Sequence, residues 1–164
     1  HHGGHYTHAG GDFLTKVIIQ LISAAVTSGG FALIYHTNRR LLPYIVVGGS
    51  LGWLGYLVGF HYWGGVFLPN LLAGFTVAAY AEIMARVKTA PATAFFLPSA
   101  IPLVPGSTLY YCMNAIANSH YTEAAQLGWK TAMCALGIAG GMAIGWCLAD
   151  FNRKLHMIHI RHEK

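Results

Sequence analysis

Charge is what this sequence has least of. Five acidic residues and ten lysines and arginines make up 9% of the 164 residues, where a soluble globular domain carries about 25%. Helices without charged faces are not kept in water, so a soluble domain is excluded and a membrane protein is implied. Cysteine is also sparse. Cys112, Cys134 and Cys147 all fall in apolar stretches with no CxxC pair, which argues against a disulfide framework and leaves them as small packing residues. There is no GxxxxGK[ST] motif, no HExxH and no grouping of nucleophile, base and orienting residue at motif spacing. Nucleotide-driven chemistry and an enzyme are therefore disfavoured, and no cofactor is implied. The formal charge of +5 does not signal nucleic acid, because the basic residues form short clusters between apolar runs rather than a stripe interleaved with aromatics.

What is abundant is apolar sequence, 55% hydrophobic with a mean hydropathy of +0.48. A helix needs about 20 apolar residues to cross the hydrocarbon core, and five stretches meet that need: roughly 13 to 35, 42 to 60, 65 to 84, 93 to 117 and 126 to 150. The expected fold is an all-α integral membrane bundle of about five transmembrane helices. Residues 1–12 are a flexible His/Gly-rich start, a possible tag or processing remnant, 13–151 the five-span domain, and 152–164 a basic tail. The histidines of the start, and His156, His159 and His162 of the tail, read as a disordered start and an amphipathic tail on the membrane surface rather than as a metal site, since no carboxylate or cysteine completes an evident ligand set in the tail.

Arg39 and Arg40, then Arg86 and Lys88, then Arg153, Lys154, Arg161 and Lys164 occupy alternate connections, while "HYWGG" and "NSHYTE" hold no Lys or Arg. The positive-inside rule places all three basic segments in the cytoplasm, with the N-terminus outside the cell membrane. Tyr62, Trp63, Tyr121 and Trp129 fall at the outer interface, where amphipathic rings sit. Gly48, Gly52, Gly55 and Gly59 in the second span, and Gly137, Gly141 and Gly145 in the fifth, recur at helical spacing and predict close helix contacts.

The fourth span is interrupted by its own composition. "PSAIPLVPGS" places Pro98, Pro102, Pro105 and Gly106 within nine residues. Each proline removes a backbone donor and clashes with the preceding turn. Broken backbone at membrane depth persists only where protein buries it or water reaches it, and transporters place substrate sites at such breaks. A merely kinked structural helix is the other reading. Ser107 and Thr108 would open a restarted helix whose positive dipole end points into the membrane.

The segment "TAPATAFFLPSAIPLVPGSTLYYCM" resembles the signature of the threonine/serine exporter family, in its C-terminal five-span half. "FALIYHTNRRLLPYIVVGGSLGWLGYLV" resembles that family's first two spans and basic loop. The resemblance covers most of the chain after about Gly11, with Ser99 standing where relatives often have glycine. It implies a subunit of a secondary exporter of small amino acids such as threonine and serine, or dicarboxylates such as succinate. It also implies an N-terminal-half exporter subunit as partner. Five spans do not make two inverted halves, so pairing with such a subunit or with a second copy follows independently.

Polar residues inside spans are costly and mark candidates for a pathway. Pro102, Pro105 and Gly106 form the break; Ser107, Tyr110 and Asn114 follow on one helix face. These side chains either line a polar cavity or bond to neighbouring helices. Asn70, beside Pro69, is a further lining candidate. Lys130, early in the fifth span, either attracts a substrate carboxylate or snorkels to the outer interface. Glu82 and Asp150, near cytoplasmic ends, either accept a coupling proton or pair with Arg86 and Arg153 three or four residues on.

Overall fold

The computed structural model describes the backbone of residues 6–162 and the side chains of 14–152 and of Lys154. The histidine-rich start and the tail histidines named above lie outside the described side chains. Six α-helices follow one another: α1 (Tyr6–Ile34), α2 (Leu42–Trp63), α3 (Phe67–Lys88), α4 (Ala92–Ala100), α5 (Gly106–Ala117) and α6 (Tyr121–His162), with a 3₁₀ turn at Ile101–Leu103. Among the described residues there is no strand, as expected where every backbone polar group must be satisfied within its own segment. Stretches within α1 and α6 and the whole of α2 and α3 are long and apolar enough to span a bilayer, and α4, the turn and α5 together form a fifth span bent by 50°.

The helix boundaries have local causes. Pro43 lies in the first turn of α2 and Pro69 in that of α3, where the missing donor has no intrahelical partner to lose. The α2–α3 turn runs through Gly64 and Gly65 at φ of 62° and 68°, a left-handed conformation that glycine enters without steric penalty.

Helix α3 is the centre of the bundle. Its one side receives α2 running antiparallel, with Gly52 against Val77 and Gly59 against Pro69; its other side receives α6 running parallel, with Gly137 against Phe67 and Asn70 and Gly145 against Ala78. The glycine spacing in the second and fifth spans therefore does mark close helix contacts. Small residues matter here because apolar surfaces gain little from each other in lipid, so close van der Waals packing carries the association. α1 packs on the outer side of α2. α4 buries Phe95 and Phe96 in a core with Ala32, Ile45, Ala73, Val77, Ala78, Ala81 and Leu103. Phe96 also meets Trp146 of α6 edge-on at 5.4 Å.

The ends of α2, α3 and α6 meet at one pole, hereafter the basic end. Lys88 stands 4.1 Å over the Tyr44 ring, and the Arg86 guanidinium donates to the Ala149 carbonyl at 3.3 Å. Lys154 pairs with Asp150 one turn earlier on α6 at 3.7 Å.

Candidate functional site

The break in the fourth span sits at its middle, with nine helical and three turn residues before it and twelve helical residues after it. Pro98 lies inside α4, so the helix is already short of one donor there. The 3₁₀ turn ends at Val104, whose amide bonds the Ile101 carbonyl at 3.1 Å, and the Gly106 amide then folds back on the Val104 carbonyl at 2.7 Å. Helix α5 restarts without any side-chain cap. The 50° turn has a packing consequence: α4 lies against α1, α2 and α3, whereas α5 crosses to α6, where the Cys112 thiol donates to the Ala124 carbonyl at 3.2 Å.

Ser99 fixes the entry to the break. It is fully buried, its hydroxyl donates to the Ile45 carbonyl at 3.1 Å, and it lies against Gly48, which has no side chain to obstruct it. The Tyr80 hydroxyl bonds the Tyr44 carbonyl at 2.7 Å one residue earlier on α2. Replacing Ser99 by alanine removes one interhelical hydrogen bond, and a loss of about 1 kcal/mol is expected, read as a small fall in melting temperature of the purified protein.

Beside the break lies an open groove of about 360 Å³, lined by Ile19, Gln20, Ser23, Ala24 and Thr27 of α1, Trp53 of α2, and Ile101 and Pro102 of the turn. Gln20 and Trp53 face each other, the indole N–H donating to the Gln20 Oε1 at 3.5 Å. The Thr27 hydroxyl donates to the Ser23 carbonyl at 2.8 Å. None of the lining side chains is ionisable. The groove can therefore hydrogen-bond a solute but has no group of its own for acid–base work.

Only Pro102 of the residues singled out from the sequence lines this groove. Pro105 and Gly106 form the far side of the break, and a side chain at Gly106 would meet open space. Ser107, Tyr110 and Asn114 are exposed on α5, whose buried residues are Cys112 and Ala115. Asn114 accepts from the Asn118 amide at 3.2 Å. Lys130 is exposed on α6. Asn70 is buried, its amide donating to the Val66 carbonyl at 2.6 Å and to the Cys134 sulfur at 3.3 Å. Asn70→Leu is accordingly expected to cost about 1–2 kcal/mol, by breaking that tie between α3 and α6, with thermal unfolding as the measurement. Glu82 is half-buried in a crevice of about 190 Å³ at the basic end, which it shares with Arg86, Asn152 and the Ala149 backbone. Asp150 is exposed and paired with Lys154, while the Arg153 side chain lies outside the described residues.

Gln20, Ser23 and Thr27 were legible, though not singled out, because they recur at i, i+3 and i+7 inside an otherwise apolar span. Among the described residues no three His, Cys, Asp or Glu side chains gather as a metal site.

The profile described as Threonine/Serine exporter, ThrE, matches residues 20–148. The chain belongs to the threonine/serine exporter family. That membership and the long apolar helices make it a multi-pass membrane transport protein, a transporter rather than an enzyme. No solved structure matches it. The threonine/serine exporter match contains the groove apart from Ile19, the break, Asn70, Glu82 and Lys130. Asp150 and the basic tail lie beyond it.

Proposed function

We propose that this chain is one subunit of a secondary exporter of small carboxylate-bearing metabolites, threonine/serine-type amino acids or succinate-type dicarboxylates. Their path runs at the broken fourth span. The observation that carries the reading is the 50° break at the middle of that span, since broken backbone at membrane depth belongs where it lines a cavity. The uncapped start of α5 offers a positive dipole end to a substrate carboxylate. Ser107, Tyr110 and Asn114, exposed on the same helix, become the second wall of the path once an N-terminal-half exporter subunit or a second copy of this chain packs against them. Lys130 attracts the carboxylate from the outer side. The basic end is cytoplasmic, the N-terminus is outside the cell membrane, and Glu82 or Asp150 takes up the coupling proton there.

The decisive experiment is efflux of labelled threonine, serine and succinate from proteoliposomes holding this chain alone and together with the N-terminal-half subunit. Flux in the pair that stops when ionophores collapse the gradients is the expected result. Flux indifferent to the gradients would remove the secondary-transport reading.

The second reading is a scaffold that packs against a separate transporting partner, through surfaces other than the glycine faces of α2 and α6, which α3 occupies within the chain. Gly106→Leu separates the two. A Cβ there meets nothing within 4 Å in this chain, and co-purification with the partner subunit checks that the variant still assembles. The path reading expects efflux to drop several-fold, and the scaffold reading expects no change.

A further inference from the structure

The groove between α1, α2 and the 3₁₀ turn has a composition that calls for an occupant. Counted back from Ile34, where α1 ends, Ser23 lies about 16 Å and Gln20 about 21 Å along the helix, within the roughly 30 Å of the hydrocarbon core. Both are exposed. Thr27 directs its hydroxyl proton to the helix backbone, and the Gln20 Oε1 receives the Trp53 indole at a long 3.5 Å. The Gln20 amide protons and the Ser23 hydroxyl have no partner among the described residues. Polar groups facing hydrocarbon carry a desolvation penalty, so at this depth they face a cavity or a polar ligand. The volume of about 360 Å³ lies at the small end of ligand pockets, roughly 300–1,000 Å³.

Charge decides the class of ligand. The wall contains no Lys, Arg or His, so a dianion entering it would meet hydrogen-bond donors but no counter-charge, and a buried uncompensated charge is strongly disfavoured. A solute whose charges cancel internally avoids that penalty. The wall also contains an indole, tilted 33° against Tyr56 at 5.2 Å, and an indole face attracts ammonium groups.

We propose that the groove of Gln20, Ser23, Thr27, Trp53 and Pro102 is a binding site for a small zwitterion of no net charge. Gln20 and Ser23 donate to its polar end, and its ammonium group lies over Trp53. The inference deepens the exporter reading and rests on it for the use made of the site: within that reading, α1 contributes the wall that selects by net charge and the break contributes the moving part.

Trp53 supplies its own probe. In full-length protein carrying Trp63→Phe, Trp129→Phe and Trp146→Phe, reconstituted in nanodiscs, titration with threonine is expected to change the remaining indole fluorescence saturably, and succinate at the same concentrations is not. Gln20→Ala and Ser23→Ala should each weaken threonine binding at least ten-fold. Both residues are exposed, so neither change removes core packing. Gln20→Lys should reverse the preference, weakening threonine and admitting succinate. The site is overturned if threonine gives no saturable change, or if both alanine variants bind as tightly as the parent. Gradient-dependent efflux persisting alongside either of those results leaves the exporter reading intact. Saturable, Gln20-dependent binding with no efflux from the paired proteoliposomes does the opposite, keeping the site and sinking the exporter.

Discussion

Gly141→Ala is expected to lower the stability of the bundle by about 3 kcal/mol or more, the upper range for inserting an atom into a close-packed contact. A Cβ at this position falls on the Leu71 carbonyl oxygen and the Phe75 amide of α3. Those are backbone atoms in the middle of the central helix, so they cannot swing aside as a flexible side chain does. The two helices must separate instead, and every contact along the seam from Gly137 to Gly145 loosens with them. In lipid there is no hydrophobic collapse to offset that loss. The neighbouring glycine is the control, because a Cβ at Gly140 would find only the Leu71 Cδ1 at 3.9 Å, an ordinary contact. Gly140→Ala should therefore melt at or slightly above the parent temperature. Gly141→Ala should melt about 10 °C lower, taking the usual 2–4 °C per kcal/mol for a chain of this size, or fail to yield monodisperse protein. Equal melting of the two variants would refute the close seam between α3 and α6.

The double substitution Pro102→Ala with Pro105→Ala should cut gradient-driven efflux at least ten-fold while leaving a folded, assembled protein. Alanine in place of proline favours continuous helix by about 3 kcal/mol at each position. Opposing it are the contacts that the bend permits, chiefly Cys112 and Ala115 of α5 buried on α6. Small apolar groups gain little from such burial when the alternative is lipid. The propensity term wins, the span straightens, and α5 leaves α6. Spin labels placed on α4 and α5 should then move apart toward the distance of an unbroken helix. A straightened span with undiminished efflux would take the substrate path away from the break. An unstraightened span would show instead that tertiary packing holds the bend without its prolines.

Much of this was readable in one dimension. The scarcity of charge and the five apolar stretches gave an all-α membrane bundle because hydrocarbon admits few other folds. The span starting near 126 in the sequence reading begins as a helix at Tyr121, since the polar "YTEAAQ" is helix-compatible even though it adds nothing to an apolar window. The glycine repeats identified two helix seams correctly, but Gly49 and Gly74, which lie against Ser28 and the Ile138 backbone, are part of no such repeat and emerged only from the packing. For the site, prolines announced the break because their chemistry is local. Its surroundings were not announced, because Gln20 and Trp53 are 33 residues apart and nothing in either neighbourhood encodes the other.

The sequence by itself therefore determined what is set by local chemistry and by solvent: that about five apolar spans follow one another, roughly where each lies, that the fourth is interrupted, and which connections are basic. Only the tertiary structure decided which helix is central, that α4 and α5 part company to pack on different neighbours, and that the polar face of α1 lies beside the break. Those depend on which small residues permit two backbones to approach, a property of pairs of surfaces that no single stretch of chain contains.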